Sequence, residues 1–109
     1  MKGNIDIHTL KELKSMAKPP HDVKVMMEAV YILFYDKVPT WKESHNLLSN
    51  DRNLKEMIDE YDSSKVTASM KEKLKFIVER PDFTVDVMKS KSLATAELTE
   101  WVIGTYNSC

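Results

Sequence analysis

The sequence predicts an all-α domain, and three observations carry that prediction. Apolar residues recur at helical spacing through most of the chain, only two glycines are present, and the prolines fall between the periodic stretches. Recurrence at i, i+3, i+4 and i+7 turns one stripe of a helix toward a core. So few glycines argue against hairpin-rich β-structure and against glycine-rich phosphate loops. Proline fixes φ, lacks an N–H and pushes its predecessor out of the α region, so each one marks a helix boundary. With 109 residues and 42% hydrophobic content, the expectation is one compact bundle of about six short helices around a single core.

The elements follow in order. Residues 4–17 read as a helix with Ile5, Leu10, Leu13 and Met16 apolar, a spacing that suits a coiled coil but is too short to establish a heptad. Pro19 and Pro20 end it and suit the first turn of the next helix, where backbone donors lack intrahelical partners anyway. Residues 20–35 hold the cleanest period, through Val23, Met26, Met27, Val30, Tyr31 and Phe34. After the Val38-Pro39-Thr40 break, Thr40 and Glu43 form a capping-box pattern opening a helix with Trp41, Leu47 and Leu48. Ser49 to Asn53 reads as a polar turn. Leu54, Met57, Ile58 and Tyr61 give the next face, ended by Asp62-Ser63-Ser64. Val66, Met70, Leu74 and Ile77 mark another helix, stopped by Pro81. Thr84 is placed to cap a short helix over residues 85–88, and Ala94, Leu98, Trp101, Val102 and Tyr106 form the last face. Val30, Trp41, Leu98 and Trp101 are the expected core anchors. Neither the first nor the last helix has a natural stop at the terminus, as in a piece cut from a helical hairpin.

Catalysis finds little support. His8, His21 and His45 are scattered without metal-ligand spacing, so they read as surface or cap residues. Cys109 is the single cysteine, excludes an internal disulfide and has no nearby base to activate it. Asp59, Glu60 and Asp62 read as a solvated acidic face. No P-loop or dinucleotide fingerprint occurs, and no cofactor is expected. The seven methionines, Met26, Met27, Met57 and Met70 among them, fall mostly on apolar helical positions and read as core rather than as an adaptable groove. The longest apolar run is residues 29–35, and no signal-peptide pattern opens the chain, so a soluble intracellular domain is expected, with no membrane partner.

Charge is segregated although the net charge is −1. Residues 1–24 hold five lysines against three acids, residues 51–62 hold five acids against Arg52 and Lys55, and residues 65–80 are basic again. The plain reading is solvated helix faces; the second is a polarised surface that steers an acidic partner. A nucleic-acid-binding helix-turn-helix is a remote alternative, because arginine occurs only at Arg52 and Arg80 and no recognition helix emerges.

Read together, these residues resemble the stalk-tip microtubule-binding domain of dynein heavy chains. The resemblance runs from Leu10-Lys11-Glu12-Leu13-Lys14-Ser15 into Lys18-Pro19-Pro20, then Val23-Lys24 and Met27-Glu28-Ala29-Val30, and Trp41-Lys42. It continues through Leu54, Met57-Ile58 and Tyr61-Asp62, the Pro81-Asp82-Phe83 turn, and Ser90-Lys91-Ser92 with Ala94, Ala96, Leu98 and Trp101-Val102-Ile103. The order and spacing carry the match, and the Ser-Lys-Ser segment is closer to axonemal than to cytoplasmic members.

The resemblance implies a non-catalytic track-binding module of a far larger ATP-driven motor. Residues 1–18 would end the outgoing strand of an antiparallel coiled-coil stalk, 19–92 would form the globule, and 93–109 would begin the returning strand. Lys14, Lys18, Lys24, Arg52, Lys89 and Lys91 would meet α/β-tubulin, with Pro19 and Pro20 as a hinge that converts coiled-coil register into affinity. Implied partners are the microtubule, the rest of the heavy chain and, in some outer-arm axonemal members, a leucine-rich-repeat light chain, for which exposed Met, Tyr or acidic residues in 51–62 are candidates without defining a site. The implied location is the cytoskeleton, in a cilium or flagellum axoneme. Leu93 and Ala96 depart from the family by standing where many members carry lysine, and Glu97 and Glu100 add negative charge. The alternative function is a helical module whose main partner is another protein.

Overall fold

The computed structural model describes residues 7–15 and 21–108 and is built from helices throughout: among these residues there are seven α-helices, a single 3-10 turn and no strand. They are α1 (Ile7–Lys14), α2 (His21–Tyr35), α3 (Trp41–Ser49), α4 (Asp51–Glu60), α5 (Ala68–Val78), α6 (Val85–Lys89) and α7 (Leu93–Asn107), with the 3-10 turn at Ser63–Lys65. The two 15-residue helices, α2 and α7, pack together and the others surround them.

Helix α2 is buried on two sides. Of the expected stripe, Val23, Met26, Met27 and Val30 are buried while Tyr31 and Phe34 are only partly so; Leu33 is buried beside it, and Val25, Ala29 and Ile32 form a second stripe on the opposite side. The first packs toward the core; on the second, Ile32 meets α5. Helix α7 buries Ala94, Thr95, Ala96, Leu98, Thr99, Trp101, Val102 and Thr105, so small side chains let its neighbours approach closely. The hydroxyls of Ser44, Thr95 and Thr99 are buried without a hydrogen-bond partner among the described residues, a cost of about 1–3 kcal/mol each.

An aromatic group closes the join between the central helices. The Phe34 ring stacks on Trp101 at 5.9 Å between centroids, and Tyr61 stands edge-on to both, at 5.3 and 5.6 Å. The Tyr61 hydroxyl donates to the Leu33 carbonyl at 2.6 Å. That bond satisfies a carbonyl near the end of α2, where intrahelical donors run out.

Helix α1 packs against α7, α3 and α4. Thr9 Oγ1 donates to Glu97 at 2.7 Å and Ser92 Oγ donates to Glu12 at 3.0 Å. Residue numbers rise along α1 as they fall along α7, so the two run antiparallel. Leu10 and Leu13 are fully buried beneath these polar contacts. Ile5 and Met16 lie outside the described residues.

Local signals in the sequence account for most boundaries. The Thr40–Glu43 capping box is formed, with Glu43 N–H donating to Thr40 Oγ1 at 3.3 Å and Thr40 N–H to Glu43 at 3.1 Å. Thr84 and Ser92 cap α6 and α7 through the side-chain oxygen alone, accepting from Val87 N–H and Thr95 N–H. Three expectations need correction. The polar turn at Ser49 to Asn53 shrinks to the single residue Asn50, whose carbonyl accepts from Leu54 N–H at 2.9 Å, so residues 51–53 already form the first turn of α4. Helix α5 begins at Ala68 behind a Thr67 cap, which leaves Val66 outside it. Trp41, expected as a core anchor, is only partly buried, because as the first residue of α3 it packs against the core's edge. Val30, Leu98 and Trp101 are core residues as expected, as are Met26 and Met27.

Surface ion pairs stitch the elements together. Lys73 of α5 reaches Asp36, just beyond α2, at 3.0 Å; Lys37 meets Glu43 at 2.9 Å; and Arg80 meets Asp82 at 3.1 Å. Each holds its carboxyl below the ordinary range: Asp36 through the Lys73 hydrogen bond, Glu43 chiefly through Thr40 N–H and then Lys37, and Asp82 through Arg80. Asp62 is lowered by Ser64 N–H.

Two outcomes are expected. Trp101→Ala should cost about 3–5 kcal/mol in urea unfolding, whereas Trp41→Ala should cost about 1–2 kcal/mol. Equal losses would refute the distinction between core and edge. Carboxyls lowered by folding contribute stability above their unfolded pKa values and lose it as pH falls through the folded ones. Urea midpoints should therefore be level above about pH 5 and fall below about pH 4. A midpoint that rises on acidification would contradict this assignment.

Candidate functional site

The proline corner joins α1 to α2, and Lys18, Pro19 and Pro20 lie outside the described residues. Six peptide links separate Ser15 from His21, so these helix ends lie within about 22 Å of each other.

Lys14, the last residue of α1, is held at both of its ends. Its ammonium reaches Asp51 Oδ2 at 3.3 Å, and its carbonyl accepts from His45 Nε2 at 3.2 Å. Burial pushes the Asp51 carboxyl up, but Lys14 and neighbouring donors outweigh that and leave it lowered overall. Asp51 is only 13% exposed, so this pair is better shielded than an ordinary surface ion pair. Lys14 thereby ties α1 to α3 and α4 at once. Arg52, next to Asp51, is exposed, and its guanidinium makes no hydrogen bond or ion pair with another described residue, while its backbone N–H donates to the Asp51 carboxylate.

The first turns of α2 hold a second group. Lys91, between α6 and α7, reaches Asp22 at 3.7 Å. An acid at this position also meets the positive end of the helix dipole. Arg80 lies 3.5 Å from His21 while pairing with Asp82. Lys24 is two residues beyond Asp22 and projects from the opposite side of the helix. It is exposed and makes no ion pair or hydrogen bond with any described residue. Lys89, the last residue of α6, is exposed as well.

The structure thus sorts the expected lysines rather than gathering them at one point. Lys14 is a brace, Lys91 is partly engaged, and Lys24, Lys89 and Arg52 are displayed to solvent. The partners Asp22, Asp51 and His45 escape sequence reasoning, since each pairs across elements, whereas Asp82 pairs with Arg80 two residues away in the α5–α6 connection. Only Asp22 leaves a local signal, as an acid in a helix's first turn. Of the two family departures, Leu93 is 70% exposed but Ala96 is 3% exposed, so position 96 faces the interior and has no room for a solvated lysine. Glu97 is engaged by Thr9.

Chemically, this surface offers displayed cations. No group of three or more His, Cys, Asp or Glu among the described residues is arranged to hold a metal ion. No helix among them is long and apolar enough to cross a membrane.

Comparison with known proteins agrees with the geometry. The model for the microtubule-binding stalk of dynein motors matches residues 3–107. Over 101 residues, 90% of this chain, it is 33% identical to the Dynein-1-beta heavy chain of the flagellar inner arm I1 complex of Chlamydomonas reinhardtii. It is 35% identical over 103 residues, 94% of the chain, to human Dynein axonemal heavy chain 14. A cytoplasmic dynein heavy chain of Fusarium vanettenii is 27% identical over 106 residues, 96% of the chain. The matched region is only 2–3% of the length of these relatives. An all-helical fold with an antiparallel α1–α7 pair, a match over nearly the whole chain and relatives above 30% identity together show that the chain belongs to the microtubule-binding stalk family of dynein motors.

Proposed function

We propose that this chain is a non-catalytic docking module that binds the acidic surface of α/β-tubulin through displayed lysines and belongs to a dynein heavy chain. The observation that carries the reading is Lys24: exposed, held by no described residue, and on the helix that directly follows the double-proline corner. Lys89 and Arg52 add exposed cations, and Lys91 adds one that must exchange Asp22 for the track. Single exposed pairs are weak and screened by salt, so several of them give steering and fast release rather than tight binding. That balance suits a motor which must let go.

In this reading, residues 1–18 bring in one strand of the stalk, 19–92 form the docking globule, and 93–109 begin the returning strand. The antiparallel contacts Thr9–Glu97 and Glu12–Ser92 support that division. Pro19 and Pro20 with Lys18 make the joint through which a change in strand register moves α2 and alters affinity. Lys14 takes the role of a brace that locates α1 against α3 and α4. Catalysis of ATP hydrolysis is assigned to the remainder of the heavy chain. The setting is the cytoskeleton, with an axoneme of a cilium or flagellum favoured by the axonemal relatives.

Co-sedimentation with microtubules tests this directly, at low and at moderately raised ionic strength. The native chain should pellet at low salt and be released as salt rises. Lys24→Glu should weaken pelleting about tenfold, while Lys14→Met should act mainly on stability. Pelleting that ignores both salt and the Lys24 reversal would overturn the proposal.

A further inference from the structure

A groove between α2 and α5 is left uncovered. Its apolar part is made by Ile32, Val38, Phe76 and Ile77, its acidic part by Glu28 and Glu72, and it encloses about 530 Å³. Phe76 is 77% exposed and Val38 56% exposed, so a phenyl ring and a branched side chain face water beside each other. Exposed apolar groups gathered in a concavity, unlike scattered ones, are a recognition feature.

The walls are already in place. Asp36 adopts φ 53°, in the left-handed region, with its N–H donating to Ile32 O at 2.8 Å. That strained turn sends the chain back over α5 and carries Val38 to the rim. Lys73, also on the groove, clamps Asp36 to α5.

The clamp decides the charge of the groove. Lys73 is paired with Asp36, and Arg80, which acts on Glu28 electrostatically, forms its ion pair with Asp82. Neither Glu28 nor Glu72 forms an ion pair with a described residue. Burial pushes the Glu28 carboxyl up, and His21 and Arg80 only partly offset it. The groove therefore presents apolar walls and two carboxylates without an ion-pair partner among the described residues, Glu28 being only partly compensated by His21 and Arg80. Glu72 and Phe76 are one turn apart on α5, a spacing matched by a cation and an apolar residue at i, i+4 on a facing helix.

We propose that this groove docks a basic amphipathic helix of a partner protein, seating an apolar side chain among Phe76, Val38 and Ile77 and pairing its lysines or arginines with Glu28 and Glu72. The charge excludes an acidic partner such as the tubulin surface or an anionic membrane, so this site is separate from the Lys24 surface.

The test is fluorescence anisotropy with a labelled leucine–lysine amphipathic peptide of about 15 residues, long enough to form a helix. Binding should saturate and weaken at least tenfold in Phe76→Ser and severalfold in Glu28→Gln. Phe76 is exposed, so its replacement leaves the fold intact, which circular dichroism would verify. Lys24→Glu and Asp59→Asn should leave peptide binding unchanged, and a leucine–glutamate peptide should not bind. Equal affinity in Phe76→Ser, loss of binding in Asp59→Asn, or binding of the acidic peptide would overturn the proposal. So would sedimentation equilibrium showing a dimer that Phe76→Ser dissolves, since a second copy would then fill the groove.

Discussion

Everything in this domain is referred to the packing of α2 against α7. These are its longest helices, each buried over most of its circumference, and every other helix packs against one or both of them or against a helix that does. The Phe34–Trp101 stack with Tyr61 fixes their separation at one end, and the Tyr61–Leu33 hydrogen bond also ties in the end of α4. Aromatic clusters supply large buried area with defined geometry, so this one sets orientation as well as stability. Because α2 also carries Lys24, the core determines where the displayed charge sits.

Within that frame, the positive residues differ in kind. Lys73 and Arg80 are spent on local carboxylates, and Lys14 holds α1 to its neighbours. Lys24, Lys89 and Arg52 are left for solvent or a partner. A near-neutral chain thereby presents free cations on α2, α4 and α6 and carboxylates without ion-pair partners at the α2–α5 groove. Net charge alone conceals this, because pairing rather than counting decides which charges are available.

Much of the fold was legible because its signals are local. The capping box at Thr40, the caps at Thr84 and the prolines act within three or four residues, and the periodic apolar positions of α2 name its main face. The second buried stripe of α2 was not legible, since Val25, Ala29 and Ile32 are interleaved with the first and only a helix packed on the far side gives them meaning. Trp41 has the size of a core residue without the depth of one: as the first residue of α3 it stays at the edge. The Ser49–Asn53 stretch looked like a turn by composition, yet Asp51 gains from the helix dipole and from Lys14, and the helix begins there. For the site, the exposed cations could be named in advance, whereas the partners that occupy Lys14 and Lys91 lie dozens of residues away and required three dimensions. Ala96, a departure in charge by family comparison, is explained by burial.

The antiparallel contact between α1 and α7 has a mechanical consequence. Thr9–Glu97 and Ser92–Glu12 lie across the helix axes, so tension drawing the two helices lengthwise past each other loads both bonds in shear, together with Leu10 and Leu13 beneath them. Bonds loaded side by side share force, whereas bonds opened in sequence fail one at a time. Lys14 then divides what remains between α3 and α4 through His45 and Asp51. With only Asn50 between those two helices, they receive the load as nearly one body. A pull applied along α1 would thus be shared among α7, α3 and α4 rather than fall on one contact.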